Sequence, residues 1–306
     1  MQAIEPLTIT DSLLVSSNIA ENDYSEWSSV TTYNLGDRVI VLSTHKVYES
    51  ASNSNLNNDP TTDTTGTNWF EVSATNRWKA FDRKISEPAT NADTIQYVIS
   101  SGSTIVNSIA FFGLSAVSLQ IIVTATVGGV PDTEVYNTTY ALLDNSNIVD
   151  WYTYFFEPVA VRTEELLVVD LPAYTNAEIT ININDSGDTV SVGQIVLGSL
   201  ITLGRTGYGS TIGIEDYSRK DRDAFGNPII IERAFAQKAN YEVAIPTVNA
   251  RRVQKFLSDY RATPIVWIGN QDFSYGLIVY GFYTQFSINL STYSTSYATI
   301  EVEGLT

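Results

Sequence analysis

The strongest constraint on the fold is the alternation in residues 178–183, where Ile179, Ile181 and Ile183 are separated by Thr180 and Asn182. Successive side chains of a strand point to opposite faces, so this spacing puts three isoleucines on one face and polar residues on the other. The run ends in Asn184-Asp185-Ser186-Gly187-Asp188, a turn by composition, and apolar residues resume over 189–197. The same pattern recurs along the chain. Candidate strands fall at residues 37–42, 45–49, 94–99, 108–112, 118–127 and 165–171, and again at 212–215, 228–235, 241–245, 265–268, 276–286 and 296–302. Gly128-Gly129 and Asp144-Asn145-Ser146-Asn147 read as further turns, and residues 52–67 as a loop rich in Asn, Asp, Thr and Ser. One segment departs from the pattern. Asn249 is placed to cap a helix over 250–261, in which Val253, Phe256, Leu257 and Tyr260 recur at i, i+3, i+4 and i+7, with Pro264 beyond its end. The expected fold is mainly β. Residues 1–23 form an N-terminal arm or first strand, 24–75 a small module, 76–200 a β-sandwich, and 201–306 a β barrel or sandwich with one packed helix.

Composition narrows the function. With 306 residues and 43% hydrophobic content the chain can build two or three cores. Lys and Arg number 17 against 34 Asp and Glu, a formal charge of -17. Such a chain is repelled by phosphate backbones and by anionic lipid surfaces. Nucleic-acid partners and membrane insertion are therefore not expected, and no apolar run approaches the ~20 residues of a spanning helix. Met1-Gln2-Ala3-Ile4-Glu5-Pro6 has no basic stretch followed by an apolar core, so no signal peptide is expected there. There is no cysteine, and His45 is the only histidine, which argues against nucleophilic triads and His/Cys metal centres. Glu164-Glu165 and Glu215-Asp216 are adjacent pairs, so on a strand their carboxylates point apart. The expectation is a non-enzymatic protein without a cofactor.

Residues 24–72 carry an ordered set of landmarks: Trp27, Tyr33, Gly36-Asp37, Val39, Lys46-Val47-Tyr48-Glu49, Pro60 and Trp69. In order and spacing these resemble the small chitin-binding modules of carbohydrate-binding families 5 and 12. A unit this small draws its core from a few large aromatics. The resemblance implies glycan contacts at Trp27, Tyr33, Tyr48 and Trp69, with Asn53, Asn55, Asn57 and Asn58 as hydrogen-bonding partners. The loop of residues 50–60, where sugar-binding members present aromatics, has none here. A module that keeps the fold and binds protein instead is the alternative.

Arg77-Trp78-Lys79-Ala80-Phe81-Asp82, with residues 190–198 as a closing strand, resembles galactose-binding-like sandwiches. That likeness implies calcium beside Asp82, with Asn91 and Asp93 as further oxygen ligands; plain solvated turns are the alternative. Gly204-Arg205-Thr206-Gly207-Tyr208-Gly209 lacks the Gly-Lys-Ser/Thr of a phosphate loop and reads as a turn. Residues 216–227, followed by the strand, helix and Thr263-Pro264-Ile265-Val266-Trp267 strand, resemble tail proteins of tailed bacteriophages. The combination implies a virion structural protein of the tail tip or baseplate, made in the host cytoplasm. Its expected partners are copies of itself, other tail or baseplate proteins, and host cell-surface polysaccharide. A free-standing carbohydrate-binding adhesin or accessory module is the second reading, and a glycan-degrading tail enzyme the third.

Overall fold

The computed structural model describes residues 1–127, 130–144, 148–156, 161–222, 224–271 and 276–305; the Gly128-Gly129 turn and positions 145–147 of the second turn lie outside them. The chain is mainly β. Its first strands are β1 (Gln2–Pro6) and β2 (Leu14–Ser17), followed in the small module by β3 (Thr32–Tyr33), β4 (Arg38–Val41), β5 (Lys46–Ser50), β6 (Asn55–Leu56) and β7 (Trp69–Ala74). The middle block contains β8 (Ala89–Ser100), β9 (Ser108–Phe112), β10 (Ser118–Val127), β11 (Val130–Ala141), β12 (Leu143–Asp144), helix α1 (Trp151–Phe156), β13 (Val161–Arg162), β14 (Glu165–Val168), β15 (Glu178–Val192) and β16 (Gln194–Thr202). The last block contains β17 (Arg205–Thr206), β18 (Thr211–Asp216), β19 (Arg219–Arg222), β20 (Pro228–Ile231), β21 (Phe235–Pro246), helix α2 (Ala250–Asp259), β22 (Ile265–Ile268), β23 (Ile278–Asn289) and β24 (Thr295–Gly304).

The isoleucines of residues 178–183 do face one core. A five-stranded antiparallel sheet, in the order β11-β10-β15-β8-β2, packs Ile95, Tyr97, Leu119, Ile121 and Ile181 against Ile109, Phe111, Ile195 and Leu197 of β9 and β16. Two sheets sharing one apolar layer form a sandwich. The second sheet continues well beyond this core. Its order is β14-β9-β16-β1-β22-β23-β24-β21-β17, with β18 also paired to β21.

The segment offered as an arm or first strand supplies the middle of that sheet. β1 pairs with β16 on one side (Ile4↔Leu200) and with β22 on the other (Ile4↔Val266). Ala3 and Ile4 are fully buried on opposite faces, Ala3 in the core of the last block and Ile4 in a separate cluster with Val196, Val266 and Tyr280. β2 pairs with β8 at the edge of the other sheet. β16 runs through residue 200, so the middle and last blocks share one sheet.

The helix expected over 250–261 is present as α2, ending at Asp259. Val253 and Leu257 are its buried residues and join Tyr241, Ile300, Val302 and Trp267 in one core. The helix starts at Ala250 as expected and Asn249 occupies its N-cap position, but Asn249 belongs to a preceding 3-10 turn and makes no side-chain capping bond, a correction to its expected role. The helix is held by its apolar stripe rather than by a cap. A second helix, α1, was not expected.

Candidate functional site

In the small module, β4-β5-β7 form a three-stranded sheet beside the β3–β6 pair. Tyr33, Val39, Tyr48 and Trp69 make its core, with Trp27 and Val41 packed against them. The Tyr33 and Trp69 rings meet edge to face at 5.1 Å. The Trp69 indole N–H donates to the Asn58 carbonyl at 2.9 Å, and the Tyr33 hydroxyl accepts from the Ser28 N–H at 2.8 Å. Asn55 is buried and ties the loop together, donating to Ser50 Oγ and to the Asn68 carbonyl while accepting from Asn58 Nδ2 at 2.7 Å. Asp63 Oδ2 accepts from the backbone N–H groups of Asn68 and Trp69, which holds its carboxyl well below the usual range.

This geometry corrects the reading of the candidate glycan contacts. Tyr33, Tyr48, Trp69 and Asn55 are interior groups, and a ring with no exposed face cannot stack on a sugar. Trp27 is half-buried; Asn57 is exposed, with a φ of 57°. On β7 the alternation turns Phe70, not Trp69, outward.

The three candidate calcium ligands each have local work. Asp82 Oδ1 accepts from the Lys84 N–H at 2.9 Å, Asn91 Nδ2 donates to the Thr94 carbonyl at 2.8 Å, and Asp93 Oδ1 accepts from the Gly187 N–H at 2.7 Å. Among the described residues, no group of three or more His, Asp or Glu is placed to hold a metal ion. Burial pushes the Asp82 carboxyl up to about 6, and its Oδ2 finds no hydrogen-bond partner among the described residues.

Asp82 lies on the wall of an open pocket of about 340 Å³ where the module, residues 9–11 and the start of the sandwich meet. His45 is the hub of this junction. Its ring stacks on Trp78 at 4.2 Å, Nδ1 lies 2.8 Å from Glu21 Oε1, and Nε2 lies 2.5 Å from Asp11 Oδ1. Thr75 donates to the same Glu21 oxygen at 2.8 Å, and Arg77 Nε donates to the Ile19 carbonyl. Both ring nitrogens of His45 thus face carboxylates rather than a hydroxyl nucleophile, and the contacts fasten the module to the rest of the chain.

Two clusters of exposed apolar side chains lie elsewhere; the sequence reading passed over the first and read the second as strands 212–215 and 228–235 joined by the stretch resembling tail proteins. The first is α1. Asp150 accepts from the Thr153 N–H at 2.8 Å, and Thr153 Oγ1 accepts in return from the Asp150 N–H at 3.0 Å, a reciprocal helix-start bond. No residue of α1 is buried, although five of its six side chains are aromatic. That run of aromatics, unbroken by alternation, was the signal available in the sequence. The second is the ribbon formed by β19 and β20, which extends the β18–β21 hairpin. Every residue of β18, β19 and β20 is exposed, including Ile212, Ile214, Ile229, Ile230 and Ile231. The glycine-rich run at 204–209, expected as a turn, is one only in part: Arg205 and Thr206 form β17 against Ala244 and Val243 of β21, and the turn follows at Tyr208-Gly209, where the Ser210 N–H donates to the Gly207 carbonyl at 3.3 Å.

No protein-family model matches the chain, and no curated protein matches it either.

Proposed function

We propose that the chain is a non-enzymatic structural component of a phage tail tip or baseplate, assembling with copies of itself and other tail proteins in a ring and contacting host surface glycans. The observation that carries this reading is the β19–β20 ribbon. Ile230 points to one side of it and Ile229 and Ile231 to the other, so both faces are apolar and both are exposed. A lone two-stranded ribbon is marginal in water, and exposed strands with apolar side chains invite pairing with another chain. A ring of identical subunits covers such surfaces at every copy. The ion pairs along the ribbon, Lys220–Asp216 and Arg219–Asp221, both at 2.6 Å, are solvent-exposed and contribute little to its stability.

Light scattering and negative-stain microscopy of the full chain test the reading. A discrete closed oligomer is expected, and Ile230→Lys returns it to a monomer that melts where the wild-type monomer does at concentrations too low for assembly, because Ile230 is 66% exposed. A chain that stays monomeric at every concentration sinks the ring. If that monomer binds glycans, the free-standing adhesin takes its place. Release of reducing ends from chitin or capsule would overturn the non-enzymatic part.

A further inference from the structure

Of the four aromatics expected to meet sugar, Tyr33, Tyr48 and Trp69 are buried in the small module and Trp27 is half-buried, while a cluster of exposed aromatics stands on α1. Trp151 is 78% exposed and Phe155 67%; they lie one helical turn apart, with ring planes 20° from parallel and centroids 6.1 Å apart. Tyr152 and Phe156 repeat the arrangement at 5.0 Å and 33°. The helix is closed locally by the Asp150–Thr153 pair and buries nothing against the sandwich. Six residues are too few for a stable free helix, and bare aromatic rings in water are unfavourable, so the segment is built to be covered by something. Charge excludes some of the candidates. Between Ala141 and Val161 there is no Lys or Arg, while Asp144, Asp150 and Glu157 are acidic and the whole chain carries -17. Anionic lipid and anionic polymer are repelled from such a tip. A neutral saccharide is not. Its pyranose rings offer an apolar C–H face to aromatic planes, and its rim hydroxyls can meet the polar edges that Trp and Tyr keep.

We propose that α1 is a stacking platform for a neutral polysaccharide, with Trp151 and Phe155 as its floor and Tyr152 and Tyr154 supplying hydroxyls at its edge. This rests on the reading that the chain contacts host glycans, and it moves that contact from the small module to the sandwich. The full chain is titrated with soluble oligomers of β-1,4-linked N-acetylglucosamine and applied to an array of neutral polysaccharides, with indole emission as a second readout. Saturable binding is expected, and the Trp151→Ala/Phe155→Ala variant weakens it by about tenfold or more. Its melting temperature and oligomeric state stay unchanged. No binding to any neutral glycan overturns the platform, as does equal binding by the variant. Loss of the oligomer in the variant would show that a second copy covers α1, and binding of the wild type to phosphatidylcholine vesicles alone would assign it to lipid. Because oligomeric state is read separately, a ring without glycan binding removes the platform only, and a monomer with Trp151-dependent binding removes the ring only.

Discussion

Gly198 of β16 lies directly against the backbone of Glu5 in β1: a Cβ built on the glycine would fall 1.9 Å from the Glu5 carbonyl oxygen. The two strands are neighbours in the ten-stranded sheet, where Gly198 is opposite Pro6. Any side chain at 198 must push β1 away, and β1 is the strand that joins the sandwich to the helix-bearing half. Gly198→Ala is expected to cost about 3 kcal/mol, because the obstacle is backbone rather than a flexible side-chain tip. Denaturant unfolding measures it. A midpoint like that of the wild type would mean that β1 shifts freely and is not the joint described above.

Trp69 is 2% exposed and closes a core of only four buried side chains. Trp69→Ala leaves a cavity that so small a unit cannot fill, and the expected loss is about 3–5 kcal/mol in the module's own unfolding. Limited proteolysis of residues 24–75 reads it locally. Phe70→Ala, one residue on and 54% exposed, is the control and should leave the module intact. If the two variants behave alike, the alternation on β7 is not what selects the core.

How far the sequence could be read depended on whether the decisive contacts were local. α2 was legible because Val253 and Leu257 lie one turn apart and both face the core. β15 was legible because Ile179, Ile181 and Ile183 alternate within one strand. β1 was not, since Gln2–Pro6 is short and mixed in polarity and its place is set by pairing with residues about 200 and 265 positions away. β11 was missed for another reason: as an edge strand it carries Asp132, Glu134 and Asn137, and the side chains it packs on the sandwich core, Val135, Tyr136 and Tyr140, are only partly buried and follow no strict alternation. In the candidate site, the order of Trp27, Tyr33, Tyr48 and Trp69 pointed to a module. Which of those rings are buried is set by β4-β5-β7 closing over them, and no spacing along the chain shows that. α1 follows no strand or amphipathic helix period, so pattern reading passed over it.

Asp82 links stability to pH. An unfolded aspartate titrates near 4, and burial raises the folded carboxyl to about 6, with the Lys84 N–H and the Lys84 and Lys79 charges opposing the rise and Glu87 adding to it. Between roughly pH 4 and pH 6 the folded chain therefore holds a proton that the unfolded chain has released. The contribution is complete below about pH 4 and lost as pH rises through about 6. Asp82→Asn keeps the neutral form at every pH. It should match the wild type near pH 4 and exceed it by about 1–2 kcal/mol near pH 7, a figure discounted because the side chain is partly open to solvent. Melting curves of both proteins at the two pH values measure the difference. A gap that does not change with pH would place its origin in the hydrogen bond to Lys84 instead of the charge.

The ribbon allows assembly and folding to be separated. Tyr217 and Ala234 are bonded across its base, with the Tyr217 N–H 3.4 Å from the Ala234 carbonyl, and the Tyr217 hydroxyl bonds to Glu303. Replacing residues 218–233 by Asn-Gly, which closes a two-residue hairpin in the favoured turn geometry, keeps that base and removes β19 and β20. Neither strand contains a buried residue, so at monomeric concentrations the shortened chain should melt where the wild type does. If the ribbon is where copies join, its loss leaves a stable monomer at concentrations at which the full chain is assembled, as read by light scattering. Two results would count against this. A lowered melting temperature at monomeric concentrations would make the ribbon part of the fold, and an intact oligomer would place the joint at another strand edge.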